Sequence, residues 1–131
     1  MSTINDNLCH DILDGIDAIF NSGTLEIRTG GSPGAANAAT GTLLASLTLP
    51  SDAFNSASSR TKSLSATITD LSADNSGTAG YARLKNGAGT RIIDMSVGVG
   101  SGELQLSTLT FVAGGVVNIT GLTLGLSNTG T

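Results

Sequence analysis

Tryptophan is absent from this 131-residue chain, and aromatic residues reach only 3%, as three Phe and one Tyr. A core built from such a sequence has to be aliphatic, drawn from Leu, Ile, Val and Ala, which pack in thin layers. Charge is scarce as well: Asp, Glu, Lys and Arg make up 12% of the chain, about half the usual share for a soluble domain. With little repulsion between copies, part of the surface is expected to be covered in an assembly. The six bases are scattered, none follows Arg91, and the net charge is −4, which excludes the clustered Lys and Arg needed to neutralise phosphates. No direct contact with nucleic acid is expected. A single cysteine, Cys9, excludes an internal disulfide framework, fits a reducing cytoplasm and reads as a small buried apolar residue. No 18-residue apolar run occurs and the chain opens on polar and acidic residues, so neither a membrane span nor a signal peptide is expected.

What the chain does contain is eighteen glycines among abundant Ser, Thr and Asn, the composition of short strands joined by tight turns. Its length suits one domain, 1–131, that folds without metal or disulfide staples. Residues 4–20 place Leu8, Ile12, Ile16, Ile19 and Phe20 at helical spacings, and Cys9 and Leu13 widen the stripe. Asp6, Asp11, Asp14 and Asp17 supply the polar side, Asn5 or Asp6 is placed to cap the start, and Asn21-Ser22-Gly23 ends the helix. Gly15, unfavourable inside a helix, is expected to admit another backbone.

From residue 24 to 126 the period changes to two. Leu25 and Ile27 alternate with Glu26 and Arg28, residues 42–49 form a second strand, and Leu64, Ala66 and Ile68 mark another that closes at Asp70. Residues 78–84 and 90–97 flank Asn86-Gly87, which predicts a hairpin with a type I′ turn and room for a bulge. Residues 103–111 form the next strand. In the last run the apolar phase slips at Gly121, from Val117 and Ile119 to Leu122 and Leu124, which predicts a β-bulge. Seven or eight such strands predict an all-β fold: a jelly-roll-like antiparallel β-sandwich with one N-terminal α-helix.

Chemistry-bearing patterns are sparse. His10 lies near Asp11 and Asp14, yet no serine sits in G-x-S-x-G to serve as its nucleophile. One His beside one Cys does not supply a zinc set, and Asp70 and Asp74 lack the pattern of a calcium loop. The glycine-rich stretch 97–102 has no following helix and no Lys-Ser/Thr pair to cradle phosphate. No catalytic residue, cofactor or metal is assigned, and the chain is expected not to be an enzyme. The candidate contact residues are Leu8, Ile12, Ile16, Ile19 and Phe20 on the helix, with Phe54, Arg60 and Lys62 in the 52–62 loop. Whether the helix packs on its own sheet or on a partner stays open.

Several segments, taken in order, resemble one known family. They are the acidic helix through Ile19-Phe20, Leu25-Glu26-Ile27-Arg28-Thr29-Gly30 with its Ala/Asn-rich sequel, and Gly41-Thr42-Leu43-Leu44-Ala45-Ser46-Leu47-Thr48-Leu49. Gly77-Thr78-Ala79-Gly80-Tyr81-Ala82-Arg83, Asp94-Met95-Ser96-Val97-Gly98, Glu103-Leu104-Gln105-Leu106 and the strand from Val117 follow. The order is similar to that of the small decoration, or cement, proteins of tailed-bacteriophage heads. Members often carry a bulky aromatic pair where this chain has Gly80-Tyr81, and residues 52–62 match poorly. The resemblance implies a jelly-roll subunit on the capsid exterior, made in the bacterial cytoplasm, with the major capsid protein and its own copies, as dimer or trimer, for partners. The alternative is a receptor- or carbohydrate-binding module of a tail fibre, whose sugar site would need an exposed aromatic such as Tyr81.

Overall fold

The helix expected at the N-terminus forms over Asp6–Phe20 (α1), and local chemistry fixes both of its ends. Asn5 is the cap: its Oδ1 accepts the Leu8 N–H at 2.9 Å, and its carbonyl accepts the Cys9 N–H at 3.0 Å. At the other end Ser22 takes the left-handed conformation, with φ of 62°, and the Gly23 N–H returns to the Phe20 carbonyl. Gly23 is required for a different reason: a Cβ there would sit 2.2 Å from the Lys85 carbonyl oxygen. The computed structural model describes residues 5–49, 54–56, 61–63, 68–70 and 73–125.

Two sheets form the sandwich. The first contains β1 (Thr24–Arg28), β2 (Leu43–Thr48), β6 (Tyr81–Lys85) and β7 (Ile92–Met95) in the order β2-β1-β6-β7, all antiparallel. The second is built on the long strand β11 (Val117–Gly125). One edge of β11 pairs with β3 (Thr61–Ser63) and β4 (Ile68–Asp70), the other with β9 (Leu104–Leu106), and β8 (Val97–Gly98) lies beyond β9. A small ladder of β5 (Gly77–Thr78) and β10 (Thr110–Phe111) stands apart. Leu25, Ile27, Leu47, Ala82, Leu84 and Met95 of the first sheet meet Leu104, Leu106, Ile119, Leu122 and Leu124 of the second in one aliphatic core, as the shortage of aromatics requires. The all-β sandwich with a single N-terminal helix is thus the observed fold. Sequence neighbours β1 and β2, and β6 and β7, lie side by side in one sheet, and the jelly-roll connectivity remains an expectation.

The bulge expected at Gly121 is present: between Ile119 and Gly121 the register against β9 shifts, and the buried positions change from odd to even. The hairpin at Asn86 is present too, but not its type I′ turn. The turn closes with the Gly89 N–H on the Asn86 carbonyl at 3.0 Å, and only Gly89, not Gly87, has a positive φ. Asn86 drives this choice, since its Oδ1 accepts the N–H groups of both Thr90 and Arg91 and so stabilises a longer connection.

Three expected strands are each broken. Residues 78–84 divide at Ala79-Gly80, because the backbone at Gly80 presses on Gly30: a Cβ would meet the Gly30 oxygen at 1.9 Å. Residues 90–97 divide at Ser96, where the chain leaves one sheet for the other, and residues 103–111 divide between β9 and β10. The strand expected from Leu64 appears as β4, while residues 64–67 and Leu126 lie outside the described residues.

Candidate functional site

The helix carries two apolar stripes, where the sequence suggested one. Cys9, Leu13, Ile16 and Phe20, spaced four, three and four apart, face inward: Cys9, Leu13 and Phe20 are buried, and Ile16 packs against the core from a partly buried position. Leu8, Ile12, Gly15 and Ile19 repeat that spacing one residue earlier, about 100° round the helix. This second stripe is open. Leu8, Ile12 and Ile19 are 47%, 49% and 43% exposed, and an added Cβ at Gly15 would find nothing within 4 Å. Among the described residues, the close approach expected at Gly15 therefore does not occur. An exposed aliphatic row of this kind is the usual mark of a contact surface.

The remaining candidate residues are not gathered there. Phe20 and Phe54 are each 4% exposed and belong to the core, so neither presents a face to a partner. Their bulk serves a core short of large side chains. Lys62 lies in β3, its side chain outside the described residues, as are Arg60 and most of the 52–62 loop. All four aromatics of the chain, Phe20, Phe54, Tyr81 and Phe111, are buried, so none offers a platform on which a sugar could stack.

A second feature went unread in the sequence. On its outer face the first sheet is covered by the loop at residues 30–41, which three side chains hold down. Tyr81 donates its hydroxyl to the Thr40 carbonyl at 2.7 Å and accepts the Thr40 N–H at 3.1 Å. Arg83, 2% exposed, donates to the carbonyls of Asn37 (2.9 Å) and Gly34 (3.1 Å) and makes a two-point pair with Asp94 at 2.7 and 3.0 Å. Arg28 adds a bond to the Gly41 carbonyl at 3.3 Å. Ser32 donates to the same Asp94 carboxylate from the loop side. The Arg83 hydrogen bond holds the Asp94 carboxyl below the usual carboxylate range against the opposing effect of burial, with Ser32 adding to it. Beside this clamp, burial pushes the Glu26 carboxyl up, but hydrogen bonding and charge from Lys85 and Arg28 outweigh it and the net shift is downward. The signal was available: the Asn86 hairpin register sets Arg83 opposite Asp94.

The loop thus presents a fixed, exposed surface of small residues, among them Gly31, Ala35, Ala36 and Ala38. Elsewhere, Val112 and Val116, both exposed, rim a cavity of about 160 Å³ floored by Ala73, Phe111 and Val117, which is below the size of small-molecule pockets. Among the described residues no group of three or more His, Cys, Asp or Glu is arranged to hold a metal ion, and no helix is long and apolar enough to cross a membrane. No protein-family model matches the chain, and neither curated proteins nor solved structures give a match.

Proposed function

We propose that this chain is a structural subunit of a tailed-phage virion, a decoration protein that coats the head exterior in many copies and stabilises the capsid lattice without catalysing a reaction. The observation that carries a binding role is the open aliphatic stripe of α1, standing on a sandwich whose core and outer loop are already closed. The head as the place of binding is supported by the ordered resemblance of the sequence segments to cement proteins and by the low charge, which suits a subunit packed among neighbours. A lattice rewards such a surface. Many weak apolar contacts, repeated with the symmetry of the shell, add up to firm attachment without a large interface at any one copy. The major capsid protein and further copies of this chain, as dimer or trimer, are the partners in this reading. A fibre-borne sugar-binding module is less well supported, since burial of every aromatic leaves a lectin site without its stacking surface.

Cryo-EM of virions produced with and without the gene tests the proposal. Head-surface density that disappears in the deletion, together with heads that burst more readily on heating or chelation, is the expected result. Unchanged head density and head stability refute it.

A further inference from the structure

The first sheet ends on β7, and the outer edge of that strand is open. Arg91 stands opposite Asn86 and its carbonyl accepts the Asn86 N–H at 3.1 Å, so hydrogen-bonded pairs alternate from there through Leu84 with Ile93 and Ala82 with Met95. The backbone N–H and C=O groups of Ile92 and Asp94 therefore point away from β6, and among the described residues nothing pairs with them. The opposite edge of the sheet is covered: on β2 the Asp74 N–H donates to the Leu44 carbonyl and the Asn75 side chain to that of Leu43. β7 carries neither Lys nor Pro, the usual guards of an exposed edge, and its one acid is engaged by Arg83 and Ser32. The open stretch has defined ends. In the turn Asn86 Oδ1 already accepts the N–H groups of Thr90 and Arg91, and at Ser96 the carbonyl accepts the Leu104 N–H of β9.

We infer that the β7 edge pairs with the same edge of a second copy, antiparallel about a two-fold axis at Ile93, joining the two first sheets into one continuous sheet. Backbone direction leaves few registers. With Ile92 opposite the second copy's Asp94, every outward N–H and C=O of both residues finds a partner. Sliding by two residues either way leaves some of them unpaired, and one of the slides sets Asp94 against Asp94. In the favoured register Ile93 faces its own copy in a pair without hydrogen bonds, where side chains stand closest, and each covers a flank that is only partly buried in the single chain. The length fits as well. Arg91 lies opposite the second copy's Met95, so each strand turns away at the Asn86 loop where the other copy's β9 takes over at Ser96. Charge agrees with this placement: Arg91 is exposed and has no ion pair among the described residues, and it comes within one residue of the second copy's Ser96, whose N–H donates to Glu103. Glu103 is likewise exposed and without an ion pair there, and the two-fold axis repeats the meeting of opposite charges. An unrelated peptide would have to match these ends and charges; a second copy carries them already. The pairing rests on this edge and not on the head as the place of binding.

Sedimentation equilibrium and amide exchange on the full chain test the pairing. A concentration-dependent dimer is expected, with the Ile92 and Asp94 amides exchanging freely in dilute solution and gaining protection as concentration rises. Ile92→Pro removes an outward N–H without breaking a bond inside the chain, and should weaken dimerisation at least about tenfold. Arg91→Glu, at an exposed position, should weaken it about fivefold, and Arg91→Glu/Glu103→Arg should restore it. Unchanged amide shifts away from β7 verify that each variant folds. Crosslinking reads the register directly. Under oxidised glutathione, Ile93→Cys should form a disulfide-linked dimer at least about tenfold faster than Val99→Cys, an exposed position off the edge, with Cys9 buried in both. A chain that stays monomeric up to about 1 mM, a dimer indifferent to Ile92→Pro, a charge swap that restores nothing, or equal crosslinking at positions 93 and 99 overturns the inference. So does a dimer that Ile12→Asp dissociates, since the contact is then the α1 stripe. Adding the chain to heads assembled without it separates this inference from the proposed function. Heads that bind a chain monomeric throughout support decoration and refute the pairing; heads that bind nothing, while the dimer behaves as expected, refute decoration and leave the pairing standing.

Discussion

Replacing Asp94 by Asn tests whether the Arg83 clamp holds the outer loop. The substitution keeps the shape of the side chain but removes the charge and one of the two oxygens that accept from Arg83, leaving a guanidinium that is 2% exposed with the Gly34 and Asn37 carbonyls and a single neutral amide oxygen as acceptors. Breaking a buried ion pair from one side costs about 3–5 kcal/mol. The two surviving carbonyl bonds place this case at the low end, about 3 kcal/mol, or a fall in Tm of about 10 °C for a chain of this length. Urea denaturation at neutral pH measures the first and calorimetry the second. Amide exchange should localise the damage, with Asn37, whose N–H bonds to the Gly34 carbonyl within the clamped loop, and Thr40, whose N–H bonds to the Tyr81 hydroxyl, losing protection first. The pH dependence is an independent check. Because the folded-state Asp94 carboxyl lies below its ordinary value, its contribution is fully present above the unfolded pKa of about 3.9 and is lost as pH falls through the lower folded value. The gap between wild type and Asp94→Asn should therefore be constant above about pH 5 and close toward acid. In Arg83→Met/Asp94→Leu, with no charge left unpaired, most of the stability should return. A loss below about 1 kcal/mol in Asp94→Asn, or a gap that widens in acid, would refute the assignment of the clamp.

Three further outcomes follow from the same structure. Gly80→Ala forces a Cβ against the Gly30 backbone and should destabilise by about 3 kcal/mol in urea, whereas Gly87→Ala, facing open space, should stay within about 0.5 kcal/mol. Tyr81→Phe removes both bonds to Thr40 and should cost about 1–2 kcal/mol, read by denaturation, with faster exchange at the Thr40 amide. Asn5→Ala should cost about 1 kcal/mol, seen as a lower thermal midpoint by circular dichroism at the helix band.

Features that are local in sequence were legible in it. The helix follows from 3.6-residue spacing, the bulge at Gly121 from a slip in alternation, and the hairpin from Asn86-Gly87, because each is decided by residues within a few positions of one another. Alternation does not register a third layer. Glu26 reads as a polar residue alternating with Leu25 and Ile27 on a half-exposed strand, yet it is buried beside Arg28 and Lys85, and β6 is buried at four of its five positions where Tyr81 and Arg83 hold the 30–41 loop, far from them in sequence. Nor does it say which sheet a strand joins, so the crossing at Ser96 read as one continuous run. For the candidate site, spacing alone merged two neighbouring stripes of α1 into one. Separating Ile16 and Phe20 from Leu8, Ile12 and Ile19 requires knowing the direction of the core, and Phe54 joined it only through long-range packing.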